Sequence, residues 1–360
     1  MDDTAHDGAL DEPQAVRAEN RFDAARLRPF LKARLPDLPD AEVRVRQFSG
    51  GASNLTYQLD IGNRSLVLRR PPAGTKPKSG HDMHREYRVL VALHGHFPCP
   101  QVYAYSDDVD LIGAPFYVME KLDGTILRRD PPAHLHYDAT QARQLCHNLL
   151  DTLIRLHTLD CASLGLADLG HPTGYVQRQV DGWCARFERA WTSDMPKFKA
   201  VMAWVRAHCP PDSPRPGLIH NDYRFDNVVL SPKDDLTIVG VLDWEMCTLG
   251  DPLMDLGSVL AYWIQADDPP ELEALRMQPS NLPGMLDRRG VLDYYAERTG
   301  CDTTHFGFYY IFGLFRLAAI AQQIYYRFKL GQTHNPKFQR FSLYVETLAK
   351  VTERAIAEQG

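Results

Sequence analysis

Two short apolar runs joined by a polar turn, with oxygen-bearing side chains at both open ends, constrain this chain more than any other feature. The segment reads His220-Asn221-Asp222-Tyr223-Arg224-Phe225-Asp226-Asn227, then Val228-Val229-Leu230, a turn over 232–235, a second run over 238–242, and Asp243-Trp244-Glu245. Such runs around a polar turn predict a β-hairpin. A hairpin closes its two ends together, so Asp222, Asn227 and Asp243 can converge on one point. Each of the three alone would be an ordinary turn residue. The spacing of all three carries the reading.

Carboxylate and amide oxygens are the ligands magnesium prefers. Phosphoryl transfer asks a protein mainly to position groups and neutralise charge, with a base orienting the attacking hydroxyl. On that scheme Asp222 orients a hydroxyl, while Asn227 and Asp243 hold Mg2+ against the phosphates of ATP.

The rest of the chain suits a scaffold for this segment. With 360 residues it can bury a large core. A net charge of −6 lacks the basic excess of a nucleic-acid binder. Seven scattered cysteines without Cys-x-x-Cys spacing argue against a zinc site and suit reduced thiols in a cytoplasm. The acidic start is neither a signal peptide nor an anchor. The apolar stretch 306–321 is cut by Arg316 and is too short to span a bilayer, so a buried helix and no membrane insertion are expected.

Residues 1–20 read as a disordered tail. An amphipathic helix over 22–35 comes next, then strands over 43–47, 55–61 and 65–70, the last two joined at Gly62-Asn63. A helix over 81–97 and strands over 101–106 and 115–121 complete a part dominated by antiparallel sheet. Beyond Gly124 helical patterns take over, at 140–156, 182–191, 198–208, 252–264 and 286–298, with a β insertion at 218–243. Asp138 and Gln141 suit a capping box at the first of these, and Asp251 can cap a helix opened by Pro252. The expected architecture is α+β and bilobal: a small antiparallel N-lobe with one internal helix over 21–121, and a larger, mainly helical C-lobe over 122–360. Ser49, Gly50, Gly51, Ala52, Ser53 and Asn54, lying between two strands, would let backbone N–H groups approach phosphates.

The stretch from Asp222 to Asn227, with Asp243 sixteen residues on, resembles the His-x-Asp-x-x-x-x-Asn catalytic loop and metal-binding Asp of the protein-kinase-like superfamily. Trp244-Glu245 and the run Gly250-Asp251-Pro252-Leu253-Met254-Asp255 resemble its aminoglycoside phosphotransferase and choline kinase branch. Leu66-Val67-Leu68-Arg69, Arg85-Glu86-Tyr87 and Phe315-Arg316-Leu317 are most similar to the phosphotransferase-like group related to kinase domains fused to acyl-CoA dehydrogenases. The resemblance spans about 43–331. It implies an ATP- and Mg2+-dependent small-molecule kinase that phosphorylates a hydroxyl. It also implies a nucleotide-binding N-lobe, with adenine held by backbone near Glu120 and Leu122, and Asp255 bracing the catalytic loop. Arg69 stands where the family has a phosphate-contacting Lys. Arg keeps the charge but is not interchangeable with Lys. Glu86, on an apolar helical stripe with Val89, Leu90 and Leu93, wants a cation, and Arg69 is its expected partner.

Two readings of the acceptor compete, beside one without turnover. A polycationic aminoglycoside would need carboxylates, for which Asp267, Asp268, Glu271 and Glu273 are candidates, although Pro269-Pro270 suggests a solvated loop. An anionic acceptor of hydroxyacyl type would need cations such as Arg224, Arg316, Arg327 or Lys329. A pseudokinase that binds nucleotide without turnover is favoured only by Arg69, and is opposed by intact Asp222, Asn227 and Asp243.

Overall fold

The computed structural model describes residues 12–49, 54–72, 82–332 and 336–359. In chain order the elements are β1 (Gln14–Ala15), α1 (Leu27–Lys32), β2 (Val43–Gln47), β3 (Leu55–Ile61), β4 (Arg64–Arg70), α2 (Met83–Leu93), β5 (Val102–Ser106), α3 (Val109–Ile112) and β6 (Phe116–Glu120). Then come α4 (Ala139–His157), α5 (Tyr175–Ala190), α6 (Lys199–Ala207), β7 (Gly217–Ile219), β8 (Val228–Leu230), β9 (Ile238–Val241) and β10 (Thr248–Gly250). The chain closes with α7 (Pro252–Ala261), α8 (Pro270–Glu273), α9 (Arg288–Thr299), α10 (Phe306–Lys329) and α11 (Phe341–Ala357). They gather into two compact units. One comprises the described residues up to His136 with Ser163–Leu166 and Phe225–Cys247; the other comprises Tyr137–Ala162, Ala167–Arg224 and the described residues from Thr248 onward.

The first unit is built on an antiparallel sheet in the order β1-β2-β3-β4-β6-β5. Successive side chains on a strand point to opposite faces, and this separates two adjacent arginines. Leu66, Leu68 and Arg70 share the core face, where the leucines pack with Tyr57, Leu59, Phe116 and Val118 beneath Leu27 and Leu31 of α1. Arg70 stays satisfied there by donating to the Ile112 and Asn20 carbonyls and to the Tyr57 hydroxyl. Val67 and Arg69 fall on the other face. On α2, Asp82 caps the start by accepting from the Arg85 N–H at 3.0 Å, and the buried stripe carries Glu86 along with Val89, Leu90 and Leu93.

Residues 12–20 depart from the expected tail. Gln14 and Ala15 pair with Gln47 and Arg46 at the sheet edge, and the Asn20 carbonyl accepts from Tyr57 and Arg70. Composition underestimated the order here because backbone pairing adds to the packing of a single apolar residue, Val16, against the core.

The hairpin of β8 and β9 belongs to this same unit. Val228 pairs with Val241 and Val229 with Gly240. The hairpin is docked by reciprocal bonds between Thr125 and Leu230 (3.0 and 2.8 Å) and by Val241 N–H to the Pro98 carbonyl at 3.0 Å. Gly124 makes the first contact possible: a Cβ on it would lie 2.0 Å from the Leu230 carbonyl oxygen. Gly124→Ala should therefore cost about 2–3 kcal/mol, the upper range for overpacking. A chemical-denaturation midpoint equal to that of the native chain would refute the tight docking.

In the second unit, α4 begins with the expected capping box of Asp138 and Gln141, and Asp251 caps α7 with Pro252 in its first turn. α5 begins at Tyr175 rather than near 182. Its buried stripe of Tyr175, Val176, Val180, Trp183, Cys184 and Phe187 tolerates Gly182 in the helix interior. α10 is buried along much of its length and packs on α5, α7 and α11. Among the described residues, no helix is long and apolar enough to cross a membrane.

Candidate active site

In the first unit, the face of β4 that carries Val67 and Arg69 looks onto a cavity of about 460 Å³. Its apolar lining includes Met119, Leu122 and Val229, and its polar lining includes Arg69, Asn227 and Asp243. The hairpin brings the last two together, since the Leu242 N–H donates to the Asn227 carbonyl at 2.8 Å. Asp243 sits in the left-handed region at φ 65°, a conformation that costs of order 1–3 kcal/mol in a non-glycine residue. The adjoining Trp244 anchors it: the buried indole donates to the Val241 carbonyl at 2.9 Å and packs edge-on against Phe97. Glu120 and Leu122 also line this cavity. Gly50, Gly51 and Ser53 lie outside the described residues.

Arg69 is the hub of a charged cluster beside the cavity. Its guanidinium lies 2.9 Å from Asp243 Oδ1, 3.5 Å from Glu86 Oε2 and 3.7 Å from Glu245 Oε2. Burial works against its charge, but Glu86, Tyr117, Asp243 and Glu245 together hold its pKa well above the ordinary value. Glu86 is only 1% exposed. Burial raises its carboxyl, opposed by Arg69 and by hydrogen bonds from Tyr117 (2.5 Å) and Asn54 (3.2 Å). The Asn54 amide also donates to Glu245 at 2.9 Å. One guanidinium thus faces three carboxylates, an excess of two negative charges when all are ionised.

That excess is what a divalent cation would balance. Among the described residues no group of three or more His, Cys, Asp or Glu side chains is arranged as a metal site. Magnesium fits nonetheless, because it takes one or two protein ligands and completes its shell with waters and phosphate oxygens. Asn227 and Asp243 could supply such a pair. Tyr117, Asn54 and Glu245 were not expected as cluster members by charge, although β6 pairs Tyr117 directly opposite Arg69.

The second unit holds the loop with Asp222 and Arg224. Asp255, fully buried on α7, accepts from the His220 N–H at 2.7 Å, the Asn221 N–H at 2.8 Å and His157 Nε2 at 3.1 Å. Burial alone would raise its carboxyl; His157 and His220 hold it below the usual value. The Asp222 N–H donates to His220 Nδ1 at 3.3 Å. The flanking Tyr223 is buried and donates to the Leu149 carbonyl at 2.8 Å. Arg224 Nε lies 3.5 Å from Asp222 Oδ1, and its guanidinium lies over the Tyr262 ring, 4.9 Å from the centroid.

The acidic stretch is solvent-exposed at Asp267 and Glu271, as expected of a solvated loop, but three of its carboxylates have partners. Asp268 pairs with Arg288, Glu273 with Arg276 at 2.7 Å, and Asp267 accepts from the Gln265 amide at 2.7 Å. Lys329 pairs with Asp194 at 3.1 Å. Arg316, a candidate cation for an anionic acceptor, is buried.

Against known proteins, 93% of the chain aligns with acyl-CoA dehydrogenase family member 11 of Gallus gallus at 33% identity. That alignment takes in 44% of the relative, so the chain spans less than half its length. A solved structure from Ralstonia eutropha, provisionally named an aminoglycoside phosphotransferase, superposes with a TM-score of 0.79 at 28% identity, covering 94% of this chain and 99% of that one. The GDP and kanamycin complex of APH(2'')-IIIa superposes with a TM-score of 0.58 at 16% identity over 93% and 99% of the two chains, a likeness of fold alone. The model described as the phosphotransferase enzyme family matches residues 44–290. Because that match takes in more than half of the chain, this protein, with its protein-kinase-like fold, belongs to the phosphotransferase enzyme family.

Proposed function

We propose that this protein is a small-molecule kinase that moves the γ-phosphate of ATP onto a hydroxyl group. The observation that carries this reading is the lining of the first unit's cavity, where Arg69, Asn227 and Asp243 accompany Val67, Leu122 and Val229. The apolar residues suit a purine and the polar ones its phosphates. The volume lies within the range usual for ligand sites. A nucleotide-binding N-lobe over 21–121 and a catalytic C-lobe over 122–360 are part of the proposal, although the compact unit around the cavity also takes in Phe225–Cys247, and the free cysteines suit a cytoplasmic setting.

Asn227 and Asp243 would hold Mg2+, which when bound neutralises charge on the phosphates. Arg69 supplies a fixed cation toward the phosphates, kept oriented by Glu86. Glu120 and Leu122 would offer backbone groups to the base, and Gly50, Gly51, Ser53 and Asn54 are the residues whose backbone N–H groups would approach the phosphates. Asp222 would orient the hydroxyl, and Arg224 would act on the transferred phosphate or a charged acceptor.

For the acceptor, a hydroxyacyl-type metabolite is the better supported class. Three of the four carboxylates considered for a polycation, Asp268, Glu273 and Asp267, are engaged with Arg288, Arg276 and Gln265, and the Gallus gallus relative is named as an acyl-CoA dehydrogenase family member. An aminoglycoside acceptor is the second reading, favoured by the name of the Ralstonia eutropha structure.

Titration calorimetry with ATP tests the metal assignment. Asp243→Asn should weaken binding at least about tenfold with Mg2+ present, which is ~1.4 kcal/mol, and change it little in chelator. Equal affinity of both proteins for Mg-ATP would remove Asp243 from the metal site.

A further inference from the structure

We propose that Arg316 is a positioning residue that holds the Asn221–Asp222 peptide in place, so that α10 and not only α7 sets the geometry of Asp222. The inference rests on reading Asp222 as the group that acts on the hydroxyl. It begins with two glycines. A Cβ on Gly257 would lie 2.3 Å from the Tyr309 carbonyl oxygen, and one on Gly313 would lie 2.3 Å from the Gly257 carbonyl oxygen. α7 and α10 therefore cross backbone to backbone, a contact closed to any larger residue. Three residues beyond Gly313, this crossing delivers the Arg316 guanidinium into the interior. There it donates to Ser258 Oγ at 3.1 Å and to the Asn221 carbonyl at 2.6 Å, and lies 5.3 Å from the Trp183 ring centroid.

Asn221 is a non-glycine residue at φ 66°. Three of its polar groups are gripped, each from a different element. Its N–H goes to Asp255 at 2.8 Å, its carbonyl to Arg316, and its side-chain Oδ1 accepts from the Tyr175 hydroxyl at 3.2 Å. The peptide it shares with Asp222 is pinned at both ends, by Arg316 on the oxygen and by His220 Nδ1 on the N–H. Asp255 cannot do this alone, because it reaches only the N–H groups of His220 and Asn221.

The choice of an arginine is itself informative. At 6% exposure, its partners among the described residues are a carbonyl, a hydroxyl and an aromatic face. Burying a cation without a carboxylate is costly, and a well-packed apolar side chain would serve stability better. Asn221, the loop residue that Arg316 holds in the left-handed region, is of the strained kind that gathers at functional sites.

The test uses the full chain and measures ADP release from Mg-ATP with water as acceptor, so no acceptor need be known. Arg316→Ala should lower kcat about a hundredfold, the scale expected from displacing a reacting group by ~1 Å. Mg-ATP affinity should stay within about twofold, and millimolar guanidinium should restore about tenfold of the lost rate. Arg316→Lys, which keeps the charge without the two-pronged grip, serves if the alanine variant folds poorly, and should show the same split between kcat and affinity. Hydrogen exchange of residues 218–224 should quicken in both variants. Unchanged turnover and exchange would overturn the inference, as would equal losses of kcat and affinity that guanidinium does not restore. A native chain without ADP release would count against the kinase reading, and the exchange rates would still decide the role of Arg316.

Discussion

Replacing Arg69 with methionine should destabilise the protein by about 3–5 kcal/mol, the range for removing one partner of a buried ion pair. Glu86 is the reason. At 1% exposure it would keep the hydrogen bonds from Tyr117 and Asn54 and lose its counter-charge, while Asp243 and Glu245 would lose theirs as well. Burial already raises the Glu86 carboxyl, with Arg69 the first influence opposing it, so the variant should raise it further. A carboxyl whose folded pKa lies above its unfolded value favours folding while protonated, and that advantage is lost as pH rises through the folded pKa. The deficit of the variant should accordingly be largest near neutral pH and shrink toward about pH 4, near the unfolded value. Urea denaturation at both pH values checks this; a loss below about 0.5 kcal/mol at neutral pH would mean that the cluster is no structural hub. Arg69→Lys should recover much of the stability by restoring the charge.

Asp222→Ala should act in the opposite way, abolishing turnover while sparing the fold. Loss of a positioned base removes about 10²–10⁴ in rate. Its side chain is a quarter exposed, and Arg224 at 3.5 Å is its ion-pair neighbour. An ion pair at this level of exposure contributes little, about 0–1 kcal/mol. Mg-ATP affinity and the denaturation midpoint should both stay near native while product formation drops. If the variant turns over within about tenfold of the native chain, Asp222 is not the group that orients the hydroxyl.

Much of the architecture was legible because it is encoded locally. Strand alternation places Arg69 and Arg70 on opposite faces of β4, and short-range side-chain bonds announce the caps at Asp138 and Asp251. The hairpin could be read from Val228 to Asp243 because its partners are near in sequence. The start of α5 was obscured by Gly182, whose low helix propensity is overridden by burial of the stripe around it. The order of residues 12–20 was hidden for a related reason, since backbone pairing to β2 leaves no mark in composition.

The charge network belongs to the other category. Asn54 and Glu245 are 191 residues apart, Arg69 and Asp243 are 174 apart, and Arg316 and Asn221 are 95 apart. From the sequence, Arg316 is one cation among several on a late helix, and only a backbone-close crossing at Gly257 and Gly313 turns it inward. What the sequence determined by itself was the elements and the faces on which their side chains fall, because periodicity and capping depend on neighbours within a few residues. The tertiary structure alone decided which charges meet and which are buried, because burial and ion pairing depend on surfaces that come together only when distant segments pack.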